Sequence, residues 1–188
     1  MDEYHHISKD QFFDNIVYFL KRIIPVCEEC DVNMAIHPDD PPWDIFGLPR
    51  IISTEKDLDR LFEAIPSTRN GLTFCTGSLG ASQSNDLLKM ADKYSKQNRI
   101  HFLHARNIKY TDNQGSFYES GHYDKEGSLD ITNIVRILVN NGFDGYVRPD
   151  HGRNIWGEDA KPGYGLFDRA LGSAYLTGLF EAFENKEK

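Results

Sequence analysis

Four residues of the types that bind metal ions occur at the ends of four strand-like segments: His37, Cys75, His104 and Asp150. Each one lies at the end of a short apolar run, or just after it, before a turn or a proline. In a parallel α/β architecture the carboxyl ends of the strands share one face, and that face carries the chemistry. Two imidazoles, a thiolate and a carboxylate suit a borderline divalent ion such as Mn, Fe, Co or Zn. Magnesium fits poorly because it prefers oxygen ligands.

Any one of these residues alone has an ordinary structural explanation. A histidine at a strand end is usually a hydrogen-bonded loop residue, and a cysteine with apolar neighbours is usually buried in the core. Their coincidence at four strand ends favours a shared metal site. Cys27 and Cys30 have CxxC spacing, but they lie at the end of an amphipathic helix without a second pair. We therefore expect Cys27 to pack in the core.

The segment Arg148–Arg153 combines two arginines, a carboxylate and an imidazole within six residues. Arginine can bind a carboxylate through two parallel hydrogen bonds, so this segment suits an anionic, polyhydroxylated substrate. The segment Gly77–Gly80 lacks the lysine and spacing of a P-loop and is predicted to be a tight turn that can contact a carboxylate. Asp39 and Asp40 are either supporting residues of the site or simple loop charges, and the sequence leaves both readings open.

One helix and four strand–helix units must position these residues. The first helix is predicted from Ser8 to Cys30, because Ser8 and Gln11 form a capping-box pattern. Strands separated by helices imply parallel pairing with right-handed crossovers. Four such units form either a small open sheet or half of an eight-stranded barrel, since a closed barrel needs about 250 residues. The predicted strands are Val32–His37, Leu72–Cys75, Arg99–His104 and Gly145–Arg148, and a long loop is predicted over Ala105–Gly127. The later helices are predicted at Thr54–Ile65, Ser84–Gln97, Leu129–Val139 and Leu166–Phe183. The predicted apolar stripe of the first helix is Phe12, Ile16, Phe19, Leu20, Ile23 and Cys27.

The composition excludes several classes of protein. The 188 residues carry 21 basic and 29 acidic side chains, a net charge of −8, which argues against a nucleic-acid partner. No apolar run approaches the roughly 20 residues of a membrane span, so no membrane association is expected. Three cysteines and no secretory signal make a disulfide framework improbable and favour the cytoplasm. A single domain is expected, with residues 1–8 as a flexible N-terminal extension.

Four short stretches, taken together, have the residue types and order of a known family: His37–Pro42, Phe74–Ser78, His104–Asn107 and Arg148–Arg153. From about Phe12 to Phe183, the chain resembles the metal-dependent D-mannonate dehydratases, which are TIM barrels related in shape to xylose isomerase. The resemblance implies the removal of water from D-mannonate to give 2-keto-3-deoxy-D-gluconate, in the breakdown of hexuronates such as glucuronate.

The resemblance also implies roles for individual residues. It implies that a divalent metal, Mn²⁺ first and Fe²⁺ second, is held by the four residues that the strand-end argument selects. His151 and Tyr164 would transfer protons, with either one as acid or base, and Asp150 would join this catalytic group as well as the metal shell. The residues implied to contact the substrate are Arg106, Asn107, His122 and Arg153.

The chain departs from the family in length, because family members are roughly twice as long and only their second half matches. A half-barrel leaves strand edges unpaired, and such edges invite association. We therefore expect a homo-oligomer or association with a missing N-terminal half. Two alternatives to an active dehydratase remain: a truncated, non-catalytic half that keeps its ligands, and a sugar isomerase or epimerase on the same scaffold.

Overall fold

Short parallel strands and the helices between them form the framework of the protein. The computed structural model describes Tyr4, residues 6–112 and residues 115–184. Within these ranges the helices are α1 (Lys9–Glu29), α2 (Glu55–Ala64), α3 (Thr76–Ala81), α4 (Leu87–Lys96), α5 (Ile131–Asn140) and α6 (Leu166–Glu184), and the strands are β1 (Met34–Ile36), β2 (Asn70–Cys75), β3 (Ile100–His104), β4 (Ile108–Tyr110), β5 (Phe117–Glu119) and β6 (Tyr146–Arg148).

The main sheet has four strands in the order β1-β2-β3-β6, and every neighbouring pair is parallel. The predicted parallel sheet is therefore confirmed. Cys75 is the register partner of His104, and His104 is the register partner of Arg148, so the carboxyl ends of three neighbouring strands are level. In the described part of the chain, β1 and β6 are the two edges of this sheet.

The hydrophobic core lies between the sheet and the helices that follow its strands. All six residues of β2 are buried, as expected for a central strand of a parallel sheet. Each of the helices α2, α4 and α5 contributes an apolar face with helical spacing, as the sequence predicted. The fully buried side chains at the centre of this core include Leu58, Leu61, Leu72, Phe74, Met90, Tyr94, Leu103, Ile131 and Ile134.

Helix α1 begins as predicted, and the stripe that it buries matches the predicted one in part, since Leu20 and Cys27 are buried as expected. The Ser8 side chain accepts from the Gln11 backbone, and the Gln11 side chain accepts from the Ser8 backbone, so the capping box is present. The buried residues are Phe13, Leu20, Ile24 and Cys27. The prediction that Phe12 and Phe19 also face the core is wrong, since they are 39% and 50% exposed. Both apolar rings therefore remain partly in solvent.

Two local predictions are corrected. The predicted long loop Ala105–Gly127 contains an antiparallel hairpin, in which Ile108 pairs with Glu119 and Tyr110 pairs with Phe117. The predicted tight turn Gly77–Gly80 lies instead within α3, which starts directly after β2. Of the predicted N-terminal extension, residues 1–3 and 5 lie outside the described residues. No helix in the described ranges is long and apolar enough to cross a membrane.

Candidate metal centre

The structure brings the four predicted ligand residues to one place. His37 follows β1, Cys75 ends β2, His104 ends β3 and Asp150 follows β6. One ligand atom from each of these residues lies within 4.8 Å of the others. His37 is exposed, whereas the other three are buried, so the cluster opens to solvent on the side of β1. Level strand ends explain why residues so distant in sequence converge.

The two histidines each offer a free ring nitrogen. The Nδ1 of His37 lies 2.7 Å from the carbonyl oxygen of Pro38, to which it donates, and this leaves Nε2 as the available ligand atom. The Nδ1 of His104 is buried without a hydrogen-bond partner, which is costly unless another group satisfies it. Burial lowers the pKa of His104 to about 4, so at neutral pH its ring is uncharged and can donate a lone pair.

Cys75 is surrounded by groups that favour a thiolate once a cation is close. Its Sγ lies 3.7 Å from Oδ2 of Asp150, and it accepts from Ser78 through both the hydroxyl at 3.0 Å and the backbone N–H at 3.5 Å. Burial and the Asp150 carboxylate raise the pKa of the Cys75 thiol to about 11. A bound divalent cation reverses this balance, because it deprotonates a coordinating thiol.

Asp150 has an unusual backbone conformation. Its φ is +60°, in the left-handed region that non-glycine residues seldom adopt, and such residues cluster at functional sites. Its Oδ1 accepts from Nη2 of Arg148 at 2.7 Å and lies 3.4 Å from Nδ1 of His104. The carboxylate is therefore fixed beside both Cys75 and His104. The donor set and the unsatisfied His104 nitrogen together fit a divalent metal with mixed nitrogen, sulfur and oxygen ligands.

A row of hydrogen-bonded charged residues borders the cluster. One of them, Glu119, was not predicted from the sequence. Arg106 is 4% exposed and donates to both carboxylate oxygens of Glu119 and to Asp40. Glu119 also accepts from Nδ1 of His151 at 3.1 Å. Burial raises the pKa of Glu119, but the hydrogen bonds from His151 and Arg106 outweigh this effect and lower it to about 2. Asp39 instead accepts from the backbone of residues 51 and 52 and holds its own loop.

The other residues predicted at the site lie in different environments. Arg153 donates to Asp168 through its backbone N–H at 2.8 Å and its Nε at 2.9 Å. His122 is buried, and a Cβ added at Gly172 of α6 would lie 2.6 Å from its ring. Tyr164 is 62% exposed. Their predicted roles in substrate contact and proton transfer remain predictions.

Asn107 uses its whole side chain to hold the polypeptide around it. It is 2% exposed. Its Oδ1 accepts from the backbone of Ile108 at 2.9 Å and Leu129 at 3.2 Å, while its Nδ2 donates to the carbonyl oxygens of Tyr123 and Leu129 at 3.4 Å. These bonds join the start of the hairpin to the segment that leads into α5.

Replacing Asn107 by alanine is expected to lower the free energy of unfolding by about 1–3 kcal/mol, because two buried backbone N–H groups lose their acceptor. Urea denaturation of the metal-free chain measures this loss. Asn15→Ala, on the exposed side of α1, is the matched control and should change stability by no more than about 0.5 kcal/mol. An Asn107→Ala chain of unchanged stability would contradict the scaffolding role.

Comparisons with known proteins identify the family of the chain. A sequence model of the D-mannonate dehydratase (UxuA) family matches residues 1–188. The mannonate dehydratase of Thermotoga petrophila is 52% identical over 185 residues, covering 98% of this chain and 51% of its own length. The mannonate dehydratase of Geobacillus thermodenitrificans is 48% identical over 185 residues, covering 98% of this chain and 50% of its own.

A solved structure extends the comparison to three dimensions. The crystal structure of mannonate dehydratase from Streptococcus suis serotype 2 matches with a TM-score of 0.91 and 46% sequence identity, over 96% of this chain and 52% of that one. The chain thus spans about half the length of the relatives that it matches. The family match over residues 1–188, the sequence identity to the relatives and the shared fold show that this chain belongs to the D-mannonate dehydratase family.

Proposed function

We propose that this chain supplies the metal centre of a D-mannonate dehydratase, which removes water from D-mannonate to give 2-keto-3-deoxy-D-gluconate. The observation that carries the proposal is the convergence of His37, Cys75, His104 and Asp150 within 4.8 Å. Family membership supplies the reaction, and the donor set supports the use of a metal in it. The free thiol that the centre needs fits a reducing compartment such as the cytoplasm.

Mn²⁺ is the proposed ion, with Fe²⁺ as the second choice, held by these four side chains. When bound, the ion supplies a positive charge that binds substrate oxygens and stabilises negative charge developing next to the substrate carboxylate. His104 contributes an uncharged ring nitrogen, and Ser78 stabilises the Cys75 thiolate through its hydroxyl and backbone N–H. Arg148 neutralises part of the charge on Asp150.

The elimination also needs a base for the proton on C2 and an acid for the hydroxyl leaving C3. His151 and Tyr164 are the proposed pair. His151 lies beside the cluster, with Nε2 3.8 Å from Oδ2 of Asp150. A parallel β-bridge pairs Gly152 with Tyr164. It joins the segment after His151 to the segment of Tyr164, which keeps Tyr164 near His151 in the fold.

The architecture in this proposal is the C-terminal half of a (β/α) barrel, a single domain that works with a second half-barrel. Two observations support a partner. The relatives are about twice as long as this chain. Apolar side chains are also left in solvent on α1 and α6, among them Phe19 at 50% and Leu166 at 66% exposure. The partner is either a separate N-terminal half or a second copy of this chain.

The test measures Mn²⁺ content, solution mass and 2-keto-3-deoxy-D-gluconate formation for the purified chain, alone and mixed with the N-terminal half of the Thermotoga petrophila relative. We expect bound Mn²⁺ in both samples and turnover of D-mannonate in the completed assembly. A His151→Asn chain in the same mixture should bind Mn²⁺ but turn over D-mannonate about 10²–10⁴-fold more slowly, the range for loss of an acid or base.

Other outcomes identify the alternatives. Bound Mn²⁺ without turnover in either sample would show a non-catalytic half that keeps its ligands. Turnover of another hexonate or an aldose, from a panel assayed under the same conditions, would show an isomerase or epimerase on this scaffold. A solution mass of twice the chain, with turnover by the chain alone, would show that two copies complete the site.

A further inference from the structure

We infer that Glu119 is a positioning residue, which holds His151 in the tautomer with hydrogen on Nδ1 and so presents an unprotonated Nε2 to the metal centre. The inference deepens the proposed function, since His151 matters only if it transfers a proton there. The distances from the His151 ring to Glu119 and Asp150 do not depend on which reaction the protein catalyses. Neither the strand pattern nor the motifs of the sequence pointed to Glu119.

The hydrogen bonds of the ring determine its tautomer. Nδ1 of His151 lies 3.1 Å from Oε1 of Glu119, within hydrogen-bond distance. An ionised carboxylate can only accept, so Nδ1 must carry the hydrogen of this bond. In the uncharged ring, the other nitrogen then has a lone pair and no hydrogen. That nitrogen, Nε2, is the one on the side of Asp150.

Arg106 keeps Glu119 ionised and fixed in place. Its Nε lies 3.1 Å from both carboxylate oxygens of Glu119, and its Nη1 lies 2.6 Å from Oδ2 of Asp40. Gly77 leaves room for the arginine, since a Cβ there would lie 2.4 Å from the Arg106 Cδ. Arg106 therefore acts on His151 through Glu119. Both carboxylates that Arg106 contacts, those of Glu119 and Asp40, belong to this chain.

Asp150 is the competing acceptor for the ring. If Nε2 carried the hydrogen, it could donate to Oδ2 of Asp150 and would no longer accept a proton from a substrate. The 3.8 Å between these atoms is too long for a hydrogen bond. Asp150 is also engaged by Arg148 and faces Cys75 and His104. The shorter bond to Glu119 therefore decides the tautomer. In the same way, an orienting carboxylate sets the tautomer of a catalytic histidine in hydrolytic triads.

The test is ¹⁵N NMR of the histidine rings in the metal-free chain, at a pH where the His151 ring is neutral. The signals of His151 are assigned by their loss in His151→Asn. We expect the form with hydrogen on Nδ1 to predominate in the unsubstituted chain and in Glu119→Gln, whose amide oxygen still accepts. Glu119→Ala is expected to lose this preference. Because the measurement uses neither metal nor substrate, its failure is distinct from failure of the proposed dehydratase.

Glu126→Ala is the matched control, because Glu126 is a nearby acid that pairs with Arg153 at 3.3 Å rather than with His151. It should leave the His151 signals unchanged. A predominant Nε2–H form in the unsubstituted chain would overturn the inference, and this readout decides alone if Glu119→Ala does not fold. An unchanged tautomer in a folded Glu119→Ala chain would overturn it as well. In the completed assembly, Glu119→Ala should lower kcat about 10- to 100-fold, with KM unchanged.

Discussion

Replacing either Cys75 or His104 by alanine is expected to weaken Mn²⁺ binding more than about 100-fold, because the loss of supporting residues around a metal already costs 10- to 100-fold. Each side chain offers one possible ligand atom to the cluster, and both are buried. Free Mn²⁺ in equilibrium with each chain, measured by its electron paramagnetic resonance signal, gives the affinities.

Cys30→Ala is the matched control, since Cys30 is an exposed free cysteine at the end of α1. It should bind Mn²⁺ as tightly as the unsubstituted chain. Circular dichroism of each chain separates the loss of a ligand from the loss of the fold. Equal weakening in all three substituted chains would show that the ligand assignment is wrong.

The convergence of the four candidate ligand residues could be predicted because it depends on where the strands end, which sequence patterns reveal well. Each apolar run has a clear end, marked by Pro38 after β1 and by Pro149 after β6. Parallel pairing then places these ends on one face, as the register of Cys75 with His104 shows. The prediction needed only the order of the elements and the direction of pairing, and both follow from strands that alternate with helices.

The hairpin was missed because its strands are too short for periodicity to indicate them. β4 and β5 have three residues each. Their pairing is stabilised by contacts with the rest of the fold, such as the hydrogen bonds of Asn107 to Ile108 and Leu129. The turn-forming residues Asp112 and Gly115 between two runs of apolar and aromatic residues were the available signal. Glu119 was missed with the hairpin, since a loop prediction gives a carboxylate no fixed position.

Neighbouring aromatic residues limited the prediction of the core face of α1. Phe12 and Phe13 differ by about 100° around the helix axis, and Phe19 and Leu20 differ by the same angle. Both rows give apolar residues at helical spacing, and tertiary packing selects Phe13 over Phe12, whereas Leu20 is buried as predicted. The partners of Arg106 are equally a tertiary property, because Asp40 approaches it from the loop after β1 and Glu119 from strand β5. A sequence shows that a charge is present, but it does not show which charge it meets.

Mn²⁺ affinity is expected to rise about tenfold per pH unit between roughly pH 7 and pH 9, because binding displaces about one proton from the site. The thiol of Cys75 has a pKa raised to about 11 in the metal-free chain, so it is protonated throughout this range and must release its proton to coordinate. The pKa of His104 is lowered to about 4, so its ring is already uncharged and releases none. Acidification therefore weakens binding, and alkalinisation strengthens it.

Calorimetric titration with Mn²⁺ in buffers of different ionisation enthalpy counts the released protons directly. About one proton per ion is expected for the unsubstituted chain near neutral pH, and the Cys75→Ala chain should lose this release together with the slope of affinity against pH. Burial at the end of β2 raises the pKa of the Cys75 thiol. The proton that Mn²⁺ binding releases is therefore a consequence of how β2 packs in the core. An affinity that does not change across this range would mean that sulfur is not a ligand, whatever the other three residues bind.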